Sequence, residues 1–399
     1  MTQTEFTDLG VAPDLVDVLA DADITSPFPI QRMTIPDVLA GHDVCGKAQT
    51  GSGKTLAFGI PMVQSIGTAR RSRPHGLVLE PTRELANQVA EVLDPLLGAR
   101  DATLVAVYGG ASMGDQIKAL RKGAGVVVAT PGRLIDLMER NEIDLSDVTI
   151  VAIDEADQMA DMGFLPQVRR IMREVPKEHQ TLLFSATLDG QVASLVSAYM
   201  NDPVRHEVET DTKTVDTSEH RFLKVHHMDK VKVAAAIAGS AKRTLMFVRT
   251  KNMCDRLAKE LQSHDVDARA IHGDLHQRQR EKSLDRFSAG NAPVLVATNV
   301  AARGLHIDDV DIVVHYDPPD DPKTYLHRSG RTARAGESGL VVTLVEWDQV
   351  NEVLGIQRRA GLNVPIVKMF SNDDRLEHLA DWQPPEELAP FKTTRRRRF

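Results

Sequence analysis

The stretch Val148-Thr149-Ile150-Val151-Ala152-Ile153-Asp154-Glu155-Ala156-Asp157 decides the fold. Its first six residues are rich in β-branched and aliphatic types and read as a strand buried on both faces, as in a parallel sheet. Acidic residues at the end of such a strand emerge where parallel α/β sheets bind their ligands. Two carboxylates there can hold a hydrated Mg²⁺ and polarise a water, as nucleotide hydrolysis requires. Taken alone, the same run is equally a strand ending in a solvated acidic turn.

Outward from this run, short apolar segments alternate with longer amphipathic ones. Gly76–Leu79, Val126–Ala129 and Thr181–Phe184 repeat the pattern, so βαβ units and a parallel sheet covered on both faces are expected. Residues 1–26 show helical periodicity, and Pro27-Phe28-Pro29-Ile30-Gln31 marks a rigid turn. Residues 201–220 are polar and break the alternation. It resumes with Thr244–Val248, Val294–Ala297, Ile312–His315 and Leu340–Val345 as strands. This predicts two α/β domains, at 1–207 and 219–366, with a linker at 208–218 and a C-terminal tail at 367–399. No sequence repeat relates the two domains. The tail ends in Arg395-Arg396-Arg397-Arg398-Phe399, which reads either as a solvated run or as a non-specific phosphate contact.

A chain of 399 residues has room for two or three domains with cores of their own. Its apolar fraction of 42% and charged fraction of 26% are ordinary for a globular protein. No apolar run reaches membrane-spanning length, and the N-terminus lacks the basic-then-apolar pattern of a signal peptide, so no membrane association is expected. Two cysteines, Cys45 and Cys254, are too few for a disulfide framework, which points to a reducing cytoplasm. The formal charge of −8 argues against a uniformly basic coat but leaves room for a local basic groove.

Ala48-Gln49-Thr50-Gly51-Ser52-Gly53-Lys54-Thr55 lies between a short strand-like segment, Asp43–Gly46, and the helical run Leu56–Ile66. Glycines here let backbone N–H groups close around phosphate oxygens at a helix N-terminus. Lys54 can reach the β- and γ-phosphates, and the Thr55 hydroxyl can ligate Mg²⁺. Alanine stands where the general phosphate-loop pattern has its first glycine. Beside such a loop, Asp154 becomes a candidate Mg²⁺ ligand and Glu155 a candidate general base for the attacking water.

From about Phe6 to Val345 the chain resembles the DEAD-box RNA helicases, whose name is spelled by Asp154-Glu155-Ala156-Asp157. The resemblance implies two RecA-like domains in tandem and ATP-dependent, RNA-stimulated catalysis with ATP and Mg²⁺. It implies an adenine-reading segment at 4–32, in which Gln31 hydrogen-bonds the base edge and Phe6 supports it. Phe28 stands where the family often has a smaller residue. Pro81-Thr82-Arg83, Gly109-Gly110 and Thr130-Pro131-Gly132-Arg133 resemble the RNA-backbone motifs of the first domain. Arginines there suit phosphate oxygens, while Gly110, Gly132 and Thr130 allow backbone approach. Ser185-Ala186-Thr187 resembles the coupling motif whose hydroxyls pair with Asp157. In the second domain Phe247-Val248-Arg249-Thr250, the pair Gln277 and Arg280, Thr298 to Gly304, and His327 to Arg334 resemble the remaining motifs. The resemblance gives Gln277, Arg280 and Thr298 to RNA, and His327 to the catalytic set. Arg331 and Arg334 would stabilise transition-state charge on the γ-phosphate, an effect worth roughly 10³–10⁵ in rate.

One departure stands out. The family's Gly-x-Asp, whose carboxylate binds the ribose, is Gly304-Leu305-His306 here. Weaker ATP affinity or weaker ribose discrimination is therefore expected. His272 with His276, and His226 with His227, lack a completing Cys or carboxylate cluster and are read as structural. Trp347 and Trp382 are read only as packing residues. The sequence thus leads to an ATP-dependent RNA helicase, expected to be a monomer, with ribonucleoprotein partners possible through its tail. Two other readings remain: an RNA clamp or scaffold with weak turnover, and a DNA-acting helicase of the same superfamily.

Overall fold

A computed structural model describes residues 5–48, 51–66, 71–188, 190–208, 218–299, 310–332, 339–385 and 388–391, without the side chain of Gln277. No helix among them is long and apolar enough to cross a membrane. The chain divides into two compact units, Met1–Thr210 and Asp211–Phe399.

The first unit contains β1 (Val44–Lys47), β2 (Gly76–Leu79), β3 (Leu104–Val107), β4 (Val126–Ala129), β5 (Ile150–Ile153), β6 (Gln180–Ser185) and β7 (Val204–Glu207). They form one sheet in the order β3-β4-β2-β5-β6-β1-β7, paired in parallel throughout. Side chains alternate across a strand, so the sheet supplies two cores. Val44, Val78, Val128, Ala152 and Leu182 point into one, with the helices Pro29–Leu39, Lys54–Ser65 and Arg83–Gly98. Cys45, Leu77, Val127, Val151 and Leu183 point into the other, against Pro131–Glu139, Leu165–Met172 and Gln191–Tyr199.

The second unit repeats the plan with β8 (Ser218–Lys224), β9 (Thr244–Val248), β10 (Ala268–Ile271), β11 (Val294–Thr298), β12 (Ile312–His315), β13 (Gly339–Val345) and β14 (Ile366–Lys368). Its order, β10-β11-β9-β12-β13-β8-β14, is the same permutation shifted by seven strands, and all its pairs are parallel. Two parallel sheets in an α/β arrangement agree with the expectation from sequence.

Several boundaries need correction. The decisive strand is shorter than its apolar run: Val148 closes a turn onto Leu145, and β5 begins at Ile150. The polar stretch 201–220 carries strand on both sides of the expected linker, which ends one residue too late. Val204–Glu207 pairs with β1 as an edge strand, and Ser218 already belongs to β8. Residues from 367 onward are not all tail. Val367 and Lys368 pair with β8, and Met369, Leu376 and Leu379 are buried in the second unit's core. Trp382 does pack, with the Arg375 guanidinium 5.1 Å from its ring, but Trp347 is 74% exposed.

Candidate nucleotide site and nucleic-acid rim

In the first unit the candidate side chains gather at the C-terminal ends of the strands, because each strand there hands over to a loop and a helix. After β1 the chain turns through Gly51 and Gly53, both with φ in the left-handed region (+85° and +88°), and enters the helix Lys54–Ser65. A Cβ on Gly53 would lie 2.4 Å from Gln31 Nε2 and 2.5 Å from a Phe28 ring carbon, so no side chain fits. The adjoining segment therefore packs directly on the loop. Gln31 Nε2 donates to the Gly53 carbonyl at 3.0 Å, and Gln31 Oε1 accepts from the Phe28 N–H at 2.8 Å. Phe28 is 55% exposed above this contact, whereas Phe6 is buried beneath it in the core.

Lys54 is buried. Its ammonium donates to Glu155 Oε1 at 2.5 Å and stands 3.7 Å from Asp154 Oδ1. Burial works against the charge, but the Glu155 and Asp154 carboxylates more than offset it and hold the Lys54 pKa above the ordinary lysine value. Burial pushes the Asp154 carboxyl up, against the pull of Lys54. Asp154 Oδ1 accepts from the Glu155 N–H at 2.8 Å. Glu155 caps the helix Ala156–Asp161 with φ +48°, a left-handed conformation that costs a residue with a Cβ about 1 kcal/mol or more. That turn swings the Glu155 carboxylate to Lys54.

The candidate coupling segment, Ser185 to Thr187, begins at the last residue of β6. The Asp157 N–H and the Thr187 N–H both donate to Ser185 Oγ, at 3.2 and 3.4 Å, and Thr187 Oγ1 donates to the Asp157 carboxylate at 3.4 Å. Both hydroxyls therefore engage Asp157, with Ser185 acting through the backbone. The Ala48 N–H donates to the Ser185 carbonyl at 3.0 Å, so the phosphate loop and the coupling segment share a backbone bond.

A second group lines the ends of β2, β3 and β4. Pro81 and Thr82 are buried, and the Thr82 hydroxyl caps the following helix by accepting from the Leu85 N–H at 3.3 Å. Arg83 lies against Gly110, where an added Cβ would sit 2.4 Å from its guanidinium and φ is +86°. Arg133 donates to Gln116 Oε1 at 2.9 Å and to the Ala111 carbonyl at 3.4 Å. Thr130 precedes the helix Pro131–Glu139, with Gly132 exposed on its first turn. The fold thus brings Arg83, Gly110, Thr130, Gly132 and Arg133 to one rim.

In the second unit Thr298 ends β11, and Arg280 is buried on the helix Gln277–Ser288, which Gln277 begins. His327 and Arg331 lie at the end of the helix Pro322–Ser329 and just beyond it, both partly buried. Gln49, Thr50, Gly304, His306, Arg334 and the run Arg395–Arg398 fall outside the described residues. Sequence reading gave two residues no role of their own. Arg328 donates to Asn299 Oδ1 at 2.6 Å and to the Asp317 carbonyl at 2.8 Å, over the Phe247 ring, and so ties β9, β11 and β12 together. Glu80 is fully buried beside Asp154, and nothing in the sequence around it marks it as unusual.

Residues 28–195 match the family model for DEAD/DEAH box helicases, and residues 224–336 match the helicase conserved C-terminal domain. The DEAD-box ATP-dependent RNA helicase CshA of Geobacillus kaustophilus is 38% identical over 94% of this chain and 80% of its own length. The ATP-dependent RNA helicase CshA of Listeria monocytogenes is 40% identical over 98% of this chain and 77% of its own length. Among solved structures, Saccharomyces cerevisiae Dbp5 bound to RNA and ADP BeF3 superposes with a TM-score of 0.80 at 29% identity. That match covers 94% of this chain and 98% of the other.

Proposed function

The chain belongs to the DEAD-box family of ATP-dependent RNA helicases, and from that premise we propose how its own residues divide the work. The observation that carries the proposal is the buried Lys54 ammonium at the mouth of the glycine loop, held by Glu155 and Asp154. A polyphosphate entering that loop competes for Lys54 with better charge and more acceptors than a carboxylate offers. Lys54 then turns to the β- and γ-phosphates, and Glu155, released from Lys54, accepts the proton of the attacking water. The phosphate loop makes the pairing a resting lock that ATP opens.

Thr55 and Asp154 offer a hydroxyl and a carboxylate, hard oxygen donors of the kind Mg²⁺ prefers. They would hold the ion, which supplies charge neutralisation on the phosphate oxygens. Gln31 and Phe6 form the base-reading corner, with Gln31 giving up its Gly53 bond to the adenine edge. Gly304 and His306 would approach the ribose. Arg331 and Arg334, with His327 beside them, would supply transition-state charge from the second unit. Asp157, Ser185 and Thr187 would transmit nucleotide state. RNA would be held by Thr82, Arg83, Gly110, Thr130, Gly132 and Arg133 on one unit and by Gln277, Arg280 and Thr298 on the other. Because these are backbone contacts, binding would be largely independent of sequence and unwinding local. We place the protein in the cytoplasm as a monomer, with domains divided near residues 208–218.

The experiment is ATP hydrolysis with matched ribo- and deoxyribo-oligonucleotides. Stimulation by the ribo strand well above the deoxy strand is expected, since the 2′-hydroxyl distinguishes them. Equal stimulation would transfer the reading to DNA. His306 is the one residue that favours a clamp of weak turnover, and RNA-stimulated phosphate release well above background eliminates it.

A further inference from the structure

Glu80 is the first residue beyond β2. Its N–H donates to the Ala129 carbonyl at 2.9 Å, and Asp154 N–H donates to the Leu79 carbonyl at 3.2 Å. The register pairs Leu79 with Ile153, so Glu80 stands abreast of Asp154, and residues abreast in a parallel pair project to the same face. The side chain is 0% exposed, and neither carboxyl oxygen has a hydrogen-bond partner among the described residues. Burying an unpaired polar group is costly. Here burial, reinforced by the charges of Asp154 and Glu155 in the nucleotide site, pushes the Glu80 pKa well up.

Two kinds of partner suit a buried carboxylate: a bare cation or hydrogen-bond donors. Among the described residues no group of three or more His, Cys, Asp or Glu side chains could hold a bare metal ion. Mg²⁺, however, sheds its waters reluctantly and is held through one or two carboxylates while several waters stay on. Such waters are strong donors, and a carboxylate accepts through both oxygens. We propose that Glu80 is a water-mediated ligand of the Mg²⁺ that accompanies ATP, accepting hydrogen bonds from waters on the ion that Asp154 holds. Glu80 is then a positioning residue that sets metal affinity and does not touch the reacting phosphate.

This rests on the reading of Thr55 and Asp154 as the metal site, and the test separates the two. Mn²⁺ binding to the full chain is measured by electron paramagnetic resonance in the presence of a non-hydrolysable ATP analogue. Wild type is compared with Glu80→Gln, Glu80→Ala and Asp154→Asn, and thermal melts are recorded without ligand. Mutating a group behind the direct ligands weakens metal binding about 10–100-fold, so both Glu80 variants are expected to lose about tenfold in Mn²⁺ affinity. Metal-free nucleotide affinity and the ligand-free melting temperature should hold or rise, because an unpaired carboxyl has been removed. Wild-type Mn²⁺ affinity in both Glu80 variants, with Asp154→Asn impaired, overturns this inference alone. Wild-type affinity in Asp154→Asn as well overturns the metal site itself. A drop in ligand-free stability with metal affinity unchanged assigns Glu80 a structural role and also overturns the inference.

Discussion

At the scale of single residues, the site consists of side chains held in conformations their neighbours dictate. Glu155 keeps its left-handed backbone because the Asp154 carboxylate accepts its N–H and Lys54 binds its own carboxylate. Gly110 is held by the opposite constraint, the Arg83 guanidinium occupying the space a side chain needs. A Gly110→Ala variant must displace Arg83 and adopt a positive φ, at roughly 1–2 kcal/mol of backbone strain. RNA stimulation of hydrolysis should fall several-fold while hydrolysis without RNA stays at the wild-type rate. A steady-state assay across RNA concentrations checks this, and an unchanged RNA response would show that the rim does not depend on the contact. Much here was legible from sequence: Lys54, Asp154, Glu155 and Asp157 lie where their spacing put them. Glu80 was not. Its neighbours in sequence are a strand and a Pro-Thr-Arg turn, and only the pairing of β2 with β5 brings it to Asp154.

At the scale of elements, the edge strands that sequence reading missed share a physical cause. β3 and β7 are the edges of one sheet and β10 and β14 the edges of the other. An edge strand is covered less fully, so it needs no continuous apolar run: β3 alternates half-buried with buried, and Val204-Arg205-His206-Glu207 is mostly polar. The inner strand β8 was missed for another reason. Ser218-Glu219-His220-Arg221 buries the polar side chains of Ser218, His220 and Arg221, with His220 Nδ1 bonded to the Tyr325 hydroxyl at 2.8 Å. His315 of β12 belongs to the same buried cluster, its ring edge-on to Tyr325 and its Nδ1 3.2 Å from Thr343 Oγ1. Burial, reinforced by the charges of Arg328 and His220, holds its pKa well below the ordinary 6.5. The folded state therefore keeps His315 neutral where the unfolded chain protonates it. The stability this gives is complete above pH 6.5 and is lost as pH falls towards the lowered folded value. Within that window each pH unit costs about 1.4 kcal/mol. Denaturant titrations from pH 7.5 to 5 should show the second unit of His315→Asn losing less stability than that of wild type. Parallel slopes would contradict it.

At the scale of the whole molecule, one strand permutation is used twice although no sequence repeat announces it. The two units differ at matching places. After β1 comes a glycine loop and Lys54; after β8 comes His226-His227-Met228-Asp229 and then Lys230, with no glycine to open a cradle. Lys230 is buried like Lys54 and pairs with Glu346 at 2.9 Å and Asp317 at 3.4 Å, carboxylates just beyond β13 and β12. The repeated frame thus carries one buried lysine behind a glycine loop, which the proposed function gives to phosphate, and another behind a turn without glycine. This is why the molecule, built on two similar sheets, is read as having one catalytic phosphate loop. Topology survived where sequence likeness did not, because alternating apolar segments of many compositions satisfy the same layered packing. Under the proposed function Glu155, once ATP draws Lys54 away, is the base for RNA-stimulated hydrolysis. The most direct measurement of that role is ATP binding and RNA-stimulated phosphate release by Glu155→Gln beside wild type. Retained ATP binding with phosphate release lowered at least about 10²-fold is expected; a variant that binds ATP and releases phosphate at the wild-type rate would show that Glu155 is not the base.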